Sequence, residues 1–172
     1  QDTPVFIHVA RFHEQKNQKL LIDAFNELYR KEVDFVLLVI GDGFDRGAGA
    51  ELKGRACEKI HFLGLKNNVA DYLYCSDAFC LTSIYEGLPI SLLEAMACGV
   101  VPICTNVGGI PDVVSEGRTG YLSELLIADY CRAIELFIKY RLNPEWVVEQ
   151  FVDNFSMNNC AQRYIQVYSI RK

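Results

Sequence analysis

Residues 78 to 105 read AFCLTSIYEGLPISLLEAMACGVVPICT. Two apolar runs, Ala78 to Thr82 and Val101 to Thr105, enclose a glycine–proline turn and a helical pattern. Pro89 suits the first turn of a helix because its φ is fixed and it has no N–H, so we expect the helix to begin there. The order strand, turn, helix, strand predicts one repeating unit of a parallel sheet.

The same alternation extends through the rest of the chain. Other apolar, strand-like runs are Val5 to Ala10, Phe35 to Ile40 and Ile60 to Leu63, and Gly120 to Leu122 adds a sixth. Helical patterns cover Asn17 to Glu32, Glu51 to Glu58, Val69 to Tyr74, Ile127 to Tyr140, Pro144 to Phe151 and Asn159 to Ile170. We therefore predict a single α/β domain over residues 1–172, with a Rossmann-like, doubly wound parallel sheet of about six strands and a helical C-terminal tail.

Composition excludes several classes of protein. The net charge of −5 argues against a nucleic-acid partner, because such proteins gather Lys and Arg on one face. Seven cysteines without Cys-x-x-Cys spacing and three histidines without a paired motif predict reduced thiols and no metal site. No apolar run reaches the length of a membrane span and the N-terminus does not resemble a signal peptide, so we expect a cytoplasmic protein.

Charged and glycine-rich segments follow most of the predicted strands. They are Arg11 to Gln18, Gly41 to Gly43, Gly64 to Asn68, Ser83 to Pro89 and Asn106 to Gly109. Since the carboxyl ends of parallel strands share one edge of the sheet, and ligands bind outside that edge, the sequence predicts a crevice there.

Two carboxylates, Glu86 and Glu94, flank the start of the helix predicted at Pro89. The free N–H groups and the dipole of a helix start bind anions, and a diphosphate suits them well. Helical side chains lean toward the N-terminus, so Glu94 is placed as a hydroxyl acceptor beside that anion. The alternative is that both residues are ordinary solvated charges.

Arg11 and Lys16 are candidates to hold the diphosphate. Arg presents a planar fork of donors and Lys a mobile point charge, and both suit phosphate oxygens. The alternative is ordinary surface basicity. Two glycine-containing segments, Gly41 to Gly43 and Gly108 to Asp112, fit either structural turns and a helix entry or close approach of a ligand to the backbone.

Several other polar and aromatic residues are interpreted as structural. His8 lies within a strand-like run and is predicted to be a hydrogen-bonded core histidine. Aromatic residues of the tail are predicted to pack between helices, and they are Trp146, Phe151, Phe155, Tyr164 and Tyr168.

The ordered motifs resemble a known family. They include Val9-Ala10-Arg11-Phe12, Gly41-Asp42-Gly43, Glu86-Gly87-Leu88-Pro89, Leu93 to Gly99 and Val107 to Val114. In this order they resemble the C-terminal, donor-binding domain of family 4 retaining glycosyltransferases, also called glycosyl transferases group 1, which have the GT-B fold. The resemblance spans nearly the whole chain.

The resemblance implies that a nucleotide-sugar, such as a UDP-, GDP- or ADP-sugar, occupies the crevice without a metal or other cofactor. Arg11 and Lys16 would hold the diphosphate, Glu94 would accept hydrogen bonds from the ribose, and Glu86 would face the sugar. The implied reaction transfers the sugar, with retention, to a glycan, lipid-linked or other hydroxyl acceptor in polysaccharide biosynthesis.

Main-chain contacts are implied as well. The amides of Gly87 and Leu88 would meet sugar or phosphate oxygens, and the chain at Gly41 and Val69 would border the base. Many members have glycine where this chain has Pro89, which offers no N–H to the donor.

The resemblance also implies that the acceptor is bound by an N-terminal domain, for which this chain has no room. We therefore expect a fragment that binds nucleotide but transfers sugar poorly, with its last helix, around Cys160 to Ile170, facing the missing domain. Peripheral association of the full-length protein with the inner face of a membrane remains open. Two alternatives remain: a GT-B sugar-nucleotide epimerase, and a non-catalytic nucleotide-binding or interaction domain.

Overall fold

Six parallel strands form one sheet in a computed structural model that describes residues 3–169. The order across the sheet is β3-β2-β1-β4-β5-β6. The strands are β1 (Val5–Val9), β2 (Val36–Ile40), β3 (Ile60–Gly64), β4 (Ala78–Leu81), β5 (Val101–Thr105) and β6 (Tyr121–Ser123). The chain winds outward from β1 to β3, returns to the other side of β1 and winds outward again. The predicted doubly wound sheet is confirmed.

The strands are apolar because helices cover both faces of the sheet. All five residues of β5 are buried, as expected for a central parallel strand. Phe6 pairs with Ala78, and Ile7 with Phe79, where the two halves of the sheet join between β1 and β4. The reversal of strand order therefore lies between these two strands.

The described residues also form seven α-helices. They are α1 (Gln18–Arg30), α2 (Gly47–Gly54), α3 (Val69–Tyr74), α4 (Ile90–Ala97), α5 (Ile127–Lys139), α6 (Pro144–Phe155) and α7 (Met157–Ser169). Phe6 contacts Phe25 of α1 and Phe137 of α5 edge-on, with ring centroids 5.2 and 5.6 Å apart, so α1 and α5 cover the same face. Helix α4 packs against α6, and right-handed crossovers place α4 on the opposite face.

Helix α4 ends at Ala97, two residues before the glycine of the Ala97-Cys98-Gly99 motif. Gly99 has φ +75°, a left-handed conformation that favours glycine. The amides of Val100 and Gly99 donate to the carbonyls of Ala95 and Met96, both at 3.0 Å, which is the hydrogen-bond pattern of a Schellman cap. The cap turns the chain directly into β5.

Most predicted elements agree with the structure to within two residues, and α3 and β5 agree at both ends. Pro89 is a small correction: it is the N-cap residue, and α4 begins at Ile90. Helix α6 continues to Phe155, four residues beyond its predicted end. Helix α7 begins at Met157, and its predicted end at Ile170 lies outside the described residues.

The prediction for α2 was wrong by four residues at each end. Glycine is a poor helix former, so the segment from Gly47 was not recognised as helical. The helix ends early because Asn26 of α1 binds the chain after it: the Asn26 side chain donates to the Arg55 carbonyl and accepts from the Cys57 amide, both at 2.9 Å. A tertiary contact therefore sets this boundary.

The prediction for the aromatic residues of the tail was partly wrong. Phe151 and Phe155 pack against the core as expected. Trp146, Tyr164 and Tyr168 are 47%, 67% and 69% exposed, so they do not pack between helices in this chain. Within residues 3–169, no helix combines the length and apolar character needed to cross a membrane.

Candidate functional site

Two loops meet where the order of the strands reverses. One follows β1 and the other follows β4, and both leave the carboxyl edge of the sheet. The Ile84 amide donates to the Gln15 carbonyl at 2.8 Å, and the Gln15 side chain donates to the Tyr85 carbonyl at 2.9 Å. In open α/β sheets such a reversal is the usual place for a ligand.

Lys16 and Glu86 form an ion pair between these loops. The Lys16 Nζ lies 2.5 Å from Glu86 Oε1, and the two side chains are only 20% and 7% exposed. The buried Ser83 hydroxyl donates to the same Oε1 at 2.6 Å. The structure thus brings together two predicted site residues, and its largely buried pair interacts more strongly than a solvated one.

Neighbouring strands hold this pair in place. The Thr105 hydroxyl, at the end of β5, donates to the Ser83 carbonyl at 2.6 Å. The Thr82 hydroxyl lies 3.0 Å from the Lys16 carbonyl and 3.1 Å from the Asn17 carbonyl. Both loops are therefore anchored to the strand ends beneath them.

The glycine pair after β5 packs against the backbone of Glu86. The Gly109 amide donates to the Glu86 carbonyl at 3.3 Å. Gly108 has φ +55°, and a Cβ atom at this position would lie 1.8 Å from the Glu86 carbonyl oxygen. The predicted helix entry is a short 3-10 turn over Ile110–Asp112. The Gly109 amide thus supports the loop of Glu86.

Residues below the site form a second, fully buried layer. His8 is 0% exposed, and its Nδ1 lies 2.9 Å from the Cys80 carbonyl. Gln18 Nε2 lies 3.3 Å from His8 Nε2 and donates to the Arg11 carbonyl at 2.9 Å. Burial lowers the pKa of His8 to about 4, and the charge of Lys16 contributes to the decrease. The ring is therefore neutral at pH 7, and the predicted core histidine is confirmed.

The start of α4 faces the same edge of the sheet. Gly87 and Leu88 are exposed, whereas Pro89 is buried. Within residues 3–169, the amides of Gly87 and Leu88 donate no hydrogen bond, and no side chain caps the helix. These amides and the helix dipole favour an anion at this position.

Two clefts that reach this edge contain other predicted site residues, and one of them extends between α3 and α4 as far as Cys98. Glu94 and Val69 line one of about 460 Å³. Gly41 lines another of about 260 Å³ together with Gly64 and Leu65. The loop between β3 and α3 borders both clefts. Arg11 is exposed at the carboxyl end of β1 and contacts neither carboxylate at hydrogen-bond distance within the described chain.

A further cavity, of about 450 Å³, lies at the opposite edge of the sheet. Its charged residues already interact with each other: Arg141 pairs with Asp77 at 3.1 Å and lies 4.8 Å from the ring centroid of Phe137. None of the predicted site residues lines it. The chemistry therefore favours the carboxyl edge over this cavity.

Ser83 and Gln18 are two site residues that were not predicted from the sequence. Both are buried polar residues, and each binds a group on another loop or strand. Ser83 lies only three residues before Glu86, which is a weak local signal. The partners of Gln18 become clear only when β1 and α1 are placed together.

Comparison with known proteins shows the family. Residues 1–146 match the family model described as glycosyl transferases group 1. The chain is 42% identical over 173 residues to N-acetyl-alpha-D-glucosaminyl L-malate synthase from Bacillus anthracis, covering 95% of this chain and 45% of that protein. It is 29% identical to glycogen synthase from Thermodesulfovibrio yellowstonii, covering 96% of this chain and 35% of that enzyme.

Solved structures show the same fold. Sucrose-phosphate synthase from Thermosynechococcus elongatus superposes with a TM-score of 0.83 at 24% identity, covering 98% of this chain and 45% of that one. HepE from Anabaena, solved with UDP and glucose, superposes with a TM-score of 0.78 at 22% identity, covering 96% of this chain and 48% of that one.

The chain spans less than half the length of each of these relatives. The matched family model covers most of the chain, and the fold agrees with that of the solved relatives. The family predicted from the ordered motifs is confirmed. This chain belongs to the glycosyl transferases group 1 family.

Proposed function

We propose that this chain binds a nucleotide-sugar and is the donor half of a retaining glycosyltransferase. The observation that carries the proposal is the Lys16–Glu86 pair, held at the reversal of strand order beside the uncapped start of α4. A diphosphate placed there would meet a cation, free amides and a helix dipole.

The proposed roles follow from position. Arg11 and Lys16 bind the diphosphate, together with the amides of Gly87 and Leu88. Glu94 accepts hydrogen bonds from the ribose hydroxyls, because it lies on the helix that starts at the phosphates and lines the cleft between α3 and α4.

The base and the sugar occupy the two ends of the donor. The main chain at Gly41 and Val69 borders the base, since both residues line clefts on this edge. Glu86 faces the sugar. Its Oε1 already accepts hydrogen bonds from Lys16 and Ser83, which supports a binding role over a nucleophilic one.

In the proposed mechanism, electrostatic stabilisation is the main catalytic effect. Negative charge grows on the nucleoside diphosphate as the glycosidic bond breaks, and Arg11, Lys16 and the start of α4 oppose that charge. The acceptor hydroxyl attacks the sugar from the face that the diphosphate leaves, so the configuration of the sugar is retained. The departing phosphate takes the proton of that hydroxyl. No metal is assigned a role in this scheme.

Transfer by the whole enzyme also requires an acceptor. We assign the acceptor-binding site to a domain outside this chain. The name of the relative that is 42% identical makes N-acetylglucosamine the first sugar to test. A cytoplasmic location is supported by seven cysteines without a disulfide, of which Cys80, Cys104 and Cys131 are buried.

Calorimetry of the 172-residue chain tests this proposal. UDP, GDP, ADP and their common sugars, including UDP-N-acetylglucosamine, are titrated in EDTA and again with Mg²⁺. We expect binding of one nucleotide series under both conditions. Arg11→Ala and Glu94→Ala should each weaken it about tenfold or more, since each removes a charged hydrogen bond.

Glu135→Ala is the matched control, because Glu135 lies on α5 and, among the described residues, pairs only with Lys31 at the surface. It should bind like the wild type. A folded chain that binds none of these nucleotides would refute the donor site and favour a non-catalytic interaction domain.

A further inference from the structure

Glu86 places a fixed negative charge beside a proposed diphosphate site. Its side chain is 7% exposed, and the carboxylate is held through Oε1 by Lys16 and Ser83. The Gly109 amide holds its carbonyl, and Gly108 packs directly against the same carbonyl. These contacts leave the carboxylate little freedom to turn away when an anion approaches Lys16.

The second carboxylate oxygen differs from the first. Glu86 Oε2 accepts no hydrogen bond from any of residues 3–169, although the rest of the side chain is largely enclosed. A carboxylate oxygen accepts hydrogen bonds and donates none, so Oε2 suits a hydroxyl group and repels phosphate oxygens. The side chain therefore combines attraction for a sugar with repulsion of an anion.

Free nucleoside diphosphates and nucleotide-sugars differ in charge. A nucleotide-sugar carries one negative charge on each of its two phosphates. In a free nucleoside diphosphate, the terminal phosphate has a further ionisation with a pKa of about 6, so it carries nearly one more charge at pH 7. This extra charge lies on the group that would otherwise be esterified to the sugar.

We infer that Glu86 is a specificity-determining residue that disfavours the free nucleoside diphosphate relative to the nucleotide-sugar. The inference rests on the proposed function. The charge of Glu86 repels the terminal phosphate, which carries more charge after the sugar has left, while Oε2 accepts a hydrogen bond from the sugar. The same side chain thus favours binding of the donor and release of the product.

Calorimetric titration of matched pairs tests the inference: UDP with UDP-N-acetylglucosamine, GDP with GDP-mannose, and ADP with ADP-glucose. The wild-type chain first identifies the pair that binds. Replacing the carboxylate by a neutral amide in Glu86→Gln should tighten the free nucleoside diphosphate about fivefold more than the nucleotide-sugar, a difference of about 1 kcal/mol.

Three further variants separate charge from other effects. Glu86→Ala should shift the ratio of the dissociation constants of the nucleoside diphosphate and the nucleotide-sugar in the same direction as Glu86→Gln. The test therefore does not depend on the folding of a single variant. Glu86→Asp keeps the negative charge and should retain most of the discrimination against the free nucleoside diphosphate relative to the nucleotide-sugar. Glu135→Gln removes the carboxylate of the surface Lys31–Glu135 pair and should leave the ratio unchanged.

The outcomes distinguish this inference from the proposed function. If the wild type binds one pair but Glu86→Gln and Glu86→Ala change both ligands equally, or weaken the nucleoside diphosphate more, the inference is overturned and the donor site stands. If the folded wild type binds no member of any pair, the donor site itself is rejected, and the inference with it.

Discussion

Single residues at the site are determined by contacts between loops that are far apart in the chain. Lys16 and Glu86 are 70 positions apart, yet they share an ion pair and the support of Ser83. The residue type and position of Lys16 indicated phosphate binding from the sequence, and the family resemblance placed Glu86 at the sugar. Their direct pairing could not be predicted, because it depends on the placement of β1 beside β4.

Gly108 tests how closely the loops pack. A Cβ atom there would meet the Glu86 carbonyl, which is backbone and cannot move aside. We expect Gly108→Ala to reduce the free energy of unfolding by about 3 kcal/mol and to abolish nucleotide binding.

The matched control for Gly108 is Gly117→Ala. Gly117 also has positive φ, but no atom of residues 3–169 other than its chain neighbours lies within 4 Å of its added Cβ. Gly117→Ala should reduce the free energy of unfolding by only about 1 kcal/mol, which is the backbone contribution alone. Chemical denaturation measures both variants. Equal decreases in the free energy of unfolding would show that Gly108 does not pack tightly against Glu86.

His8 predicts a pH dependence of stability. Its folded-state pKa of about 4 lies below the ordinary value of 6.5, so the unfolded chain takes up the proton first as the pH falls. The free energy of unfolding should therefore decrease between pH 6.5 and 4, approaching about 1.4 kcal/mol per pH unit from this one group.

Urea denaturation at pH 6.5, 6.0, 5.5 and 5.0 measures the effect of His8. His8→Gln should flatten this dependence, even if the variant is less stable at pH 7. His61→Gln, at an exposed histidine on β3, is the matched control for the loss of one histidine. An identical slope in wild type and His8→Gln would contradict the assignment.

At the scale of elements, local pattern predicted the strands well and the glycine-rich helix poorly. The residues of β5 are apolar throughout because the strand is buried on both faces, and its limits were predicted at both ends. Helix α2 contains three glycines and stops where Asn26 of α1 binds the following chain. A boundary set by another element leaves no signal in its own sequence.

Helix α7 should be the least stable helix of the chain. It has 13 residues, as α1 does, but buries none of them, whereas α1 buries seven. Helices of this length are marginal without tertiary packing. We expect its amides to exchange with deuterium at least about a hundredfold faster than those of α1.

Hydrogen exchange followed by mass spectrometry compares the two helices within one sample, so α1 serves as the internal control for α7. Similar protection of both would mean that α7 is covered in solution. The exposed Tyr164, Ile165 and Tyr168 would then form an interface.

At the scale of the whole molecule, the fold was more predictable than the site. The alternation of strand and helix patterns predicts the doubly wound topology, because a parallel sheet needs helices to cover both of its faces. The clefts containing Glu94 and Gly41 depend on loop shapes, and their volumes have no counterpart in sequence pattern. The exposure of Trp146, Tyr164 and Tyr168 likewise depends on how α6 and α7 pack, which the residue types alone do not show.

The 172-residue chain should bind a nucleotide-sugar without transferring the sugar. It spans 45% of the relative to which it is 42% identical, and we assign the acceptor site to the remaining part. Incubation with UDP-N-acetylglucosamine, GDP-mannose or ADP-glucose and L-malate, followed by chromatography, should show no glycosylated product. Robust turnover by this chain alone would contradict that assignment.

The junction of β1 and β4 also has a consequence for how the chain reaches its native state. Contacts between residues that are 70 positions apart form only after both halves of the sheet have docked, and such long-range closure is slow. A ligand that needs both loops binds the completed sheet and stabilises no partly assembled species. A fluorescent nucleotide added during refolding would therefore report the docking of the two halves of the sheet.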